Sequence, residues 1–138
     1  MKPHVLIIDD EQNIVLSLSL ALRKEFEVDA ALTAAEGLAK LRAGTYELVL
    51  LDLMIGEDDG LQVLEQIRAI SPQIQVIMIT AFGTIRSSVD AVKRGAFTYL
   101  TKPVNLEELK IYMYQALRYQ EMNDTIANLT NELNARYD

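Results

Sequence analysis

The chain contains no cysteine and no tryptophan, a single histidine, three prolines and six glycines. Without cysteine there is no disulfide framework, no thiolate metal site and no cysteine nucleophile. One histidine excludes a multi-histidine metal cluster within a single chain. Basic residues are in the minority. Thirteen Lys and Arg face twenty Asp and Glu, a net charge of −7, which argues against direct nucleic-acid contact because phosphate binding needs clustered cations. No apolar run approaches the ~20 residues of a membrane-spanning helix. The start, Met1-Lys2-Pro3-His4, runs straight into a strand-like segment, so no signal peptide is expected and the expected address is the cytoplasm.

What is present is enough for one globular domain with a little left over: 138 residues, half of them hydrophobic and 24% charged. Short apolar runs alternate with helix-period segments. Val5–Ile8 is a continuous apolar run that stops at Asp9-Asp10, the pattern of a strand buried on both faces. Ile14 to Lys24 follows at helical spacing, with Val15, Leu18 and Leu22 on one face. Residues 28–32 form a weaker strand, a candidate sheet edge. Thr33-Ala-Ala-Glu36 is a capping box that opens a helix closed by Ala43-Gly44. Leu48–Leu51 is a second buried strand ending on an acid, Asp52. A loop rich in Gly, Glu and Asp over residues 56–60 leads to a helix, Leu61 to Ile70, stopped at Ser71-Pro72. Val76–Ile79 is a further buried strand ending on Thr80. Residues 84–94 then form a helix with Ile85, Val89 and Val92 inward, and Phe97–Thr101 a last strand ending at Lys102-Pro103. Five strands alternating with five helices predict an α/β fold, a doubly wound parallel sheet with right-handed crossovers whose ligands sit at the carboxyl ends of the strands.

Those strand ends carry a specific set of groups: Asp9 and Asp10, Asp52, Thr80 and Lys102. Three carboxylates converging without a cation repel one another. An oxygen-rich acidic site of this size suits Mg²⁺. Lys102 and Thr80 add a positive charge and a hydroxyl, a suitable clamp for a small dianion such as a phosphoryl group. Asp9 and Asp10 taken alone also fit the commoner task of capping the following helix. Asp52, directly after four buried aliphatics, has no such structural task. No Gly-rich phosphate loop follows the first strand, which argues against a nucleotide or flavin site. His4, before the first strand, is expected at the surface.

Asp9-Asp10-Glu11, Asp52 before Asp59-Gly60, Thr80-Ala81, Gly95-Ala96 and Lys102-Pro103, in that order, resemble the response-regulator receiver domains of two-component signalling, over residues 4 to about 119. The resemblance implies a flavodoxin-like sheet of order 2-1-3-4-5. It implies that Asp52 accepts a phosphoryl group from a sensor histidine kinase, and that Asp10 binds Mg²⁺ directly and Asp9 through water. The Met54 main-chain carbonyl completes the protein ligands. Thr80, Ala81 and Lys102 would border or hold the phosphoryl oxygens, Ala81 being small enough to admit a phosphodonor. Tyr99 matches the switch aromatic that turns inward as the Thr80 hydroxyl moves, and the bond before Pro103 would be cis. The family often has Met-Pro where this chain has Ile55-Gly56, followed by Glu57-Asp58; the glycine is expected to loosen that loop. Met54 and Phe82 beside the site would influence access of water to the acyl phosphate.

From Asn105 to Asp138 there is no Gly or Pro. Asn105-Leu-Glu-Glu108 caps a helix of about 30 residues, roughly 45 Å long, which exceeds one layer of a small domain. Tyr119, Met122, Ile126, Leu129 and Leu133 fall three and four apart, a seam of about two heptads. The expected organisation is a receiver domain over residues 1–119 and a helical linker or coiled-coil extension over 120–138. A homodimer would form through this helix or through the face of the fourth helix and fifth strand. The motifs are most similar to receivers of sigma-54-dependent activators, so the expected output is transcription through domains outside this chain. The alternatives are a stand-alone receiver that acts by protein–protein contact and a phosphorylation-independent binding module. An enzyme reading, a Mg²⁺-dependent phosphatase resembling the haloacid dehalogenase class, needs a second acid two residues after the nucleophile, where this chain has Met54.

Overall fold

The computed structural model describes residues 2–81 and 84–137, and the side chains among these apart from those of residues 85, 125, 127, 128 and 130–137. The large sheet comprises β1 (His4–Ile8), β2 (Glu27–Ala31), β3 (Leu48–Leu51), β6 (Gln75–Thr80) and β7 (Thr98–Thr101). A two-stranded hairpin, β4 (Met54–Ile55) and β5 (Asp58–Asp59), leaves the end of β3. The helices are α1 (Gln12–Leu22), α2 (Ala34–Ala43), α3 (Gly60–Ile70), α4 (Ile85–Lys93) and α5 (Leu106–Tyr137). The strand order is β2-β1-β3-β6-β7, all parallel. Counting only large-sheet strands, this is the 2-1-3-4-5 order of flavodoxin-like folds. Successive strands are added in one direction from β1 to β2 and in the other from β3 onward, and this switch between β1 and β3 opens a crevice at their carboxyl ends.

Each central strand is apolar on both faces because both faces are covered. Leu6, Ile8, Val49, Leu51, Val76 and Met78 meet α2 and α3, with Ala91 of α4, in one cluster. Their neighbours Val5, Ile7, Leu48, Leu50, Ile77 and Ile79 meet Val15 and Leu22 of α1 and Leu109, Met113 and Ala116 of α5 in the other. The period-2 alternation of side chains divides each run between the two. The edge strand β2 has an exposed Glu27 and three partly buried residues before Ala31, as its alternation with acids predicts. His4 is the first residue of β1, its ring 4.8 Å from that of Tyr46, so it belongs to the sheet and does not merely precede it.

Thr33 caps α2 by accepting from Glu36 N–H at 3.1 Å, but the Glu36 carboxylate returns to Leu32 N–H, so only half of the expected box closes. Asn105 caps α5 through Glu108 N–H at 3.0 Å. The expected inward face of α4 is corrected: Val89 and Val92 are exposed, at 45% and 53%, while Ala91 is fully buried. Ala91 joins Ala96 in the core cluster, against which the partly buried Tyr99 of β7 also packs, its hydroxyl 3.2 Å from Ser87 Oγ. The side chain of Ile85 lies outside the described residues, as do Phe82 and Gly83. Among the described residues Ala116 is the last buried position of α5; Leu117 packs on the core beyond it. Among the described residues no helix is long and apolar enough to cross a membrane.

Candidate functional site

Asp9, Asp52 and Lys102 each follow directly on a strand, and Thr80 ends one. Asp9 N–H continues the ladder of β1 by donating to Ala31 O at 3.1 Å, and Asp52 N–H continues β3 by donating to Ile8 O at 3.0 Å. These bonds anchor the backbone of both acids, whose residues are only 3% and 5% exposed. Asp10 points to solvent. Each of the three offers a carboxylate oxygen within 4.8 Å of the others. Lys102, held at the end of β7 by its N–H to Thr80 O at 2.8 Å, sends its ammonium into the same cleft. The peptide bond from Lys102 to Pro103 is cis, the form the family resemblance implies.

Lys102 Nζ is shared by three carboxylates: Asp9 Oδ2 at 3.0 Å, Asp52 Oδ2 at 3.0 Å and Glu11 Oε1 at 3.1 Å. Burial alone would lower the ammonium's pKa, but these bonds outweigh it and hold the group above its ordinary value, fully charged. Burial pushes the Asp9 carboxyl up, and the Asp52 charge adds to that push. The Glu11 N–H bond and Lys102 act in the opposite direction. Four carboxylates thus crowd one ammonium in a cleft of ≈ 280 Å³ lined by Asp10, Glu11, Asp52, Met54, Gly56, Ala81 and Lys102. The surplus is negative and the donors are all hard oxygens. That set fits Mg²⁺, which prefers carboxylate and carbonyl oxygens and keeps several waters.

The acidic segment after Asp52 differs from the expected loose loop. It is the β4–β5 hairpin, with Met54 opposite Asp59 and Ile55 opposite Asp58. Gly56 turns it at φ +61, a conformation L side chains rarely adopt, and its N–H donates to Asp10 Oδ2 at 2.9 Å. A proline has no N–H to offer there, so in this chain the glycine both forms the turn and holds a carboxylate of the site. Gly60 is required by close approach: a Cβ there would lie 2.4 Å from Asp52 O and 2.6 Å from Leu53 Cα. Asp59 caps α3 through Leu61 N–H at 2.9 Å, which accounts for the Asp59-Gly60 pair in structural terms.

The structure brings Asp9, Asp10, Asp52, Met54, Ala81 and Lys102 together. Thr80 ends β6 beside them, fully buried, and Ala81 rather than Thr80 lines the cleft. Tyr99 pairs in register with Met78, partly buried and in contact with α4 through Ser87. Neither Asp9 nor Asp10 takes the capping task that competed with a functional reading: the N-cap of α1 is Glu11, and Asp9 accepts from Glu11 N–H at 2.8 Å in the turn ahead of the helix. At the far end of the molecule, Met122, Ile126 and Leu129 are 58%, 59% and 55% exposed. Tyr119, half exposed, meets Phe97 with ring centroids 5.9 Å apart, so this first seam position has a partner within the chain. The Leu133 side chain lies outside the described residues. Glu11 carried only a place in a motif, and its reach to Lys102 depends on a contact ninety-one residues away in sequence that no local pattern announces.

Comparison with known proteins agrees with this geometry. The chain is 32% identical over 136 residues to the alginate biosynthesis transcriptional regulatory protein AlgB of Pseudomonas aeruginosa, covering 98% of this chain and 30% of AlgB. It therefore spans less than a third of that relative. A CheY-like receiver domain protein from Methanospirillum hungatei superposes with a TM-score of 0.85 at 32% identity, covering 89% of this chain and 99% of that one. A response regulator from Burkholderia pseudomallei, solved with a phosphorylated aspartic acid, a calcium ion and citrate, superposes at 0.78 with 27% identity, covering 92% and 75%. The family model for the response regulator receiver domain matches residues 5–114, and the chain belongs to that family.

Proposed function

We propose that this chain is a phosphorylatable switch in which Asp52 is the phosphoacceptor and a sensor histidine kinase the donor. The observation that carries the reading is a buried carboxylate, Asp52, 3.0 Å from the Lys102 ammonium on the floor of a cleft otherwise lined by acids and small residues. In the transfer an Asp52 oxygen bonds to phosphorus, the bond from phosphorus to the imidazole nitrogen breaks, and the imidazole leaves with the electron pair. Lys102 meets the new oxygens, and the Thr80 hydroxyl, with the Ala81 backbone beside it, turns toward them. Tyr99, partly buried and already beside Ser87 of α4 at rest, turns further inward as the Thr80 hydroxyl moves. Asp9, Asp10, Asp52 and the Met54 carbonyl would hold Mg²⁺, whose contribution when bound is to neutralise phosphoryl charge. A phosphorylated aspartic acid in the Burkholderia regulator supports the assignment. Met54, where a phosphatase of this kind needs its second acid, favours a signalling phosphoacceptor over an enzyme that turns over a substrate.

The name of AlgB, a transcriptional regulatory protein, supports transcription as the output, exerted in the cytoplasm through domains outside this chain, of the sigma-54-dependent type its motifs resemble. Residues 1–119 form the receiver and 120–138 the linker. The exposed Met122, Ile126 and Leu129 on α5, and Val89 and Val92 on α4, support pairing with a second copy. A stand-alone receiver acting by protein contact is the second reading, favoured by the Methanospirillum chain, which the match covers almost end to end. Intact-protein mass after incubation with acetyl phosphate tests the core of the proposal. One phosphoryl adduct that requires Mg²⁺ and vanishes in Asp52→Asn is expected. A folded chain that takes no adduct overturns it.

A further inference from the structure

Glu11 stands at the N-cap of α1, yet its side chain makes no capping hydrogen bond. Its carbonyl alone starts the helix, accepting from Ile14 and Val15 N–H at 3.1 Å. N-cap positions favour Ser, Thr, Asp and Asn, whose short side chains reach the first free N–H groups. The Glu11 carboxylate crosses instead to Lys102 Nζ, at 3.1 Å. An ammonium has three N–H donors and no acceptor. Each has a carboxylate partner here, so a phosphoryl oxygen reaches Lys102 only by displacing one of them.

The three partners are not equal. The Asp9 side chain is 5% exposed, and removing the ammonium from it strands a buried charge; at Asp52, 6% exposed, the charge lost on phosphorylation reappears on the phosphoryl oxygens, which need the ammonium in turn. The Glu11 side chain is 55% exposed, so water replaces the ammonium there with little loss. We propose that Glu11 is a positioning residue that competes with the phosphoryl group for Lys102: at rest its carboxylate occupies the donor that the phosphoryl oxygens take over. The inference rests on the phosphoacceptor reading above. With acetyl phosphate as donor, an Asp52 oxygen bonds to phosphorus, the phosphorus–oxygen bond to acetate breaks, and acetate leaves with the electron pair. Lys102 then turns one N–H from Glu11 to the phosphoryl group, and Glu11 is released to water.

The test is a titration with beryllofluoride, a phosphoryl mimic, in the presence of Mg²⁺, followed by backbone amide NMR on the full chain. The variants are Glu11→Ala, Glu11→Gln and, as a charge control, Glu57→Gln, because Glu57 is an exposed hairpin acid without an ion pair to Lys102. Glu11→Ala is expected to bind the mimic about threefold more tightly and Glu11→Gln by a smaller factor, with Glu57→Gln unchanged. The ¹⁵Nζ resonance of Lys102 without mimic should move in both Glu11 variants and stay in place in Glu57→Gln. Unchanged or weaker binding by Glu11→Ala, or an equal gain in Glu57→Gln, overturns the role of Glu11 alone. Should Glu11→Ala fail to fold, Glu11→Gln decides the same question by the same criteria. A wild-type chain that binds no mimic overturns the phosphoacceptor reading itself.

Discussion

Tyr46 sits against the β1–β2 edge with its hydroxyl donating to Asp29 Oδ2 at 2.7 Å. Burial, and then this bond to a carboxylate, push the phenol up to about 12. The unfolded phenol titrates near 10. A folded-state value above the unfolded one stabilises the fold fully below about pH 10, and that contribution disappears as pH rises toward 12. Urea denaturation should therefore find the gap in stability between wild type and Tyr46→Phe constant from about pH 7 to 9 and closing above about pH 10. A gap that persists unchanged into alkaline solution contradicts this account. Single residues at the cleft were legible in the sequence wherever a strand ended on them, as for Asp9, Asp52 and Lys102. Glu11 and Gly56 were not, because their roles consist of bonds to Lys102 and Asp10, brought close only by the folded sheet.

At the scale of elements, apolar periodicity located α1, α3 and the buried strands within a residue or two. It failed on α4, where it aims Val89 and Val92 inward. Ala91 is the buried residue instead, fully enclosed in the core cluster with no room for a larger side chain. Ala91→Leu should accordingly destabilise the domain by about 1–3 kcal/mol through overpacking, read as a lower midpoint in chemical denaturation. An apolar surface position in its place would tolerate the change. The β4–β5 hairpin was equally invisible: two residues per strand carry no usable period, and Glu57-Asp58 has the composition of a loop. The Asn105 cap, by contrast, depends on residues three apart in sequence and was legible there.

At the scale of the molecule, α5 continues about 20 residues past Ala116, the last buried position among the described residues, and presents Met122, Ile126 and Leu129 to solvent. Light scattering should find a dimer for the native chain and a monomer for the double variant Met122→Ser and Ile126→Ser, with circular dichroism of the receiver unchanged. Beryllofluoride should alter the association of the native chain. A native chain that is monomeric with and without the mimic removes the linker-pairing proposal. Tyr119 meets Phe97 at the foot of β7, and Gln120 and Asp124 beyond it still border grooves against the domain, so the seam open to a partner starts at Met122.

The sequence by itself determined the alternation of strands and helices, the acids, threonine and lysine at the strand ends, and the capped terminal helix. These depend on neighbours one to seven residues apart, a range that composition and period express directly. Tertiary structure alone decided which oxygens share the Lys102 ammonium, which way Asp10 is held, which face of α4 turns inward and where α5 leaves the domain. Each of these is a contact between segments far apart in the chain, and its energy depends on burial and distance that no local pattern contains.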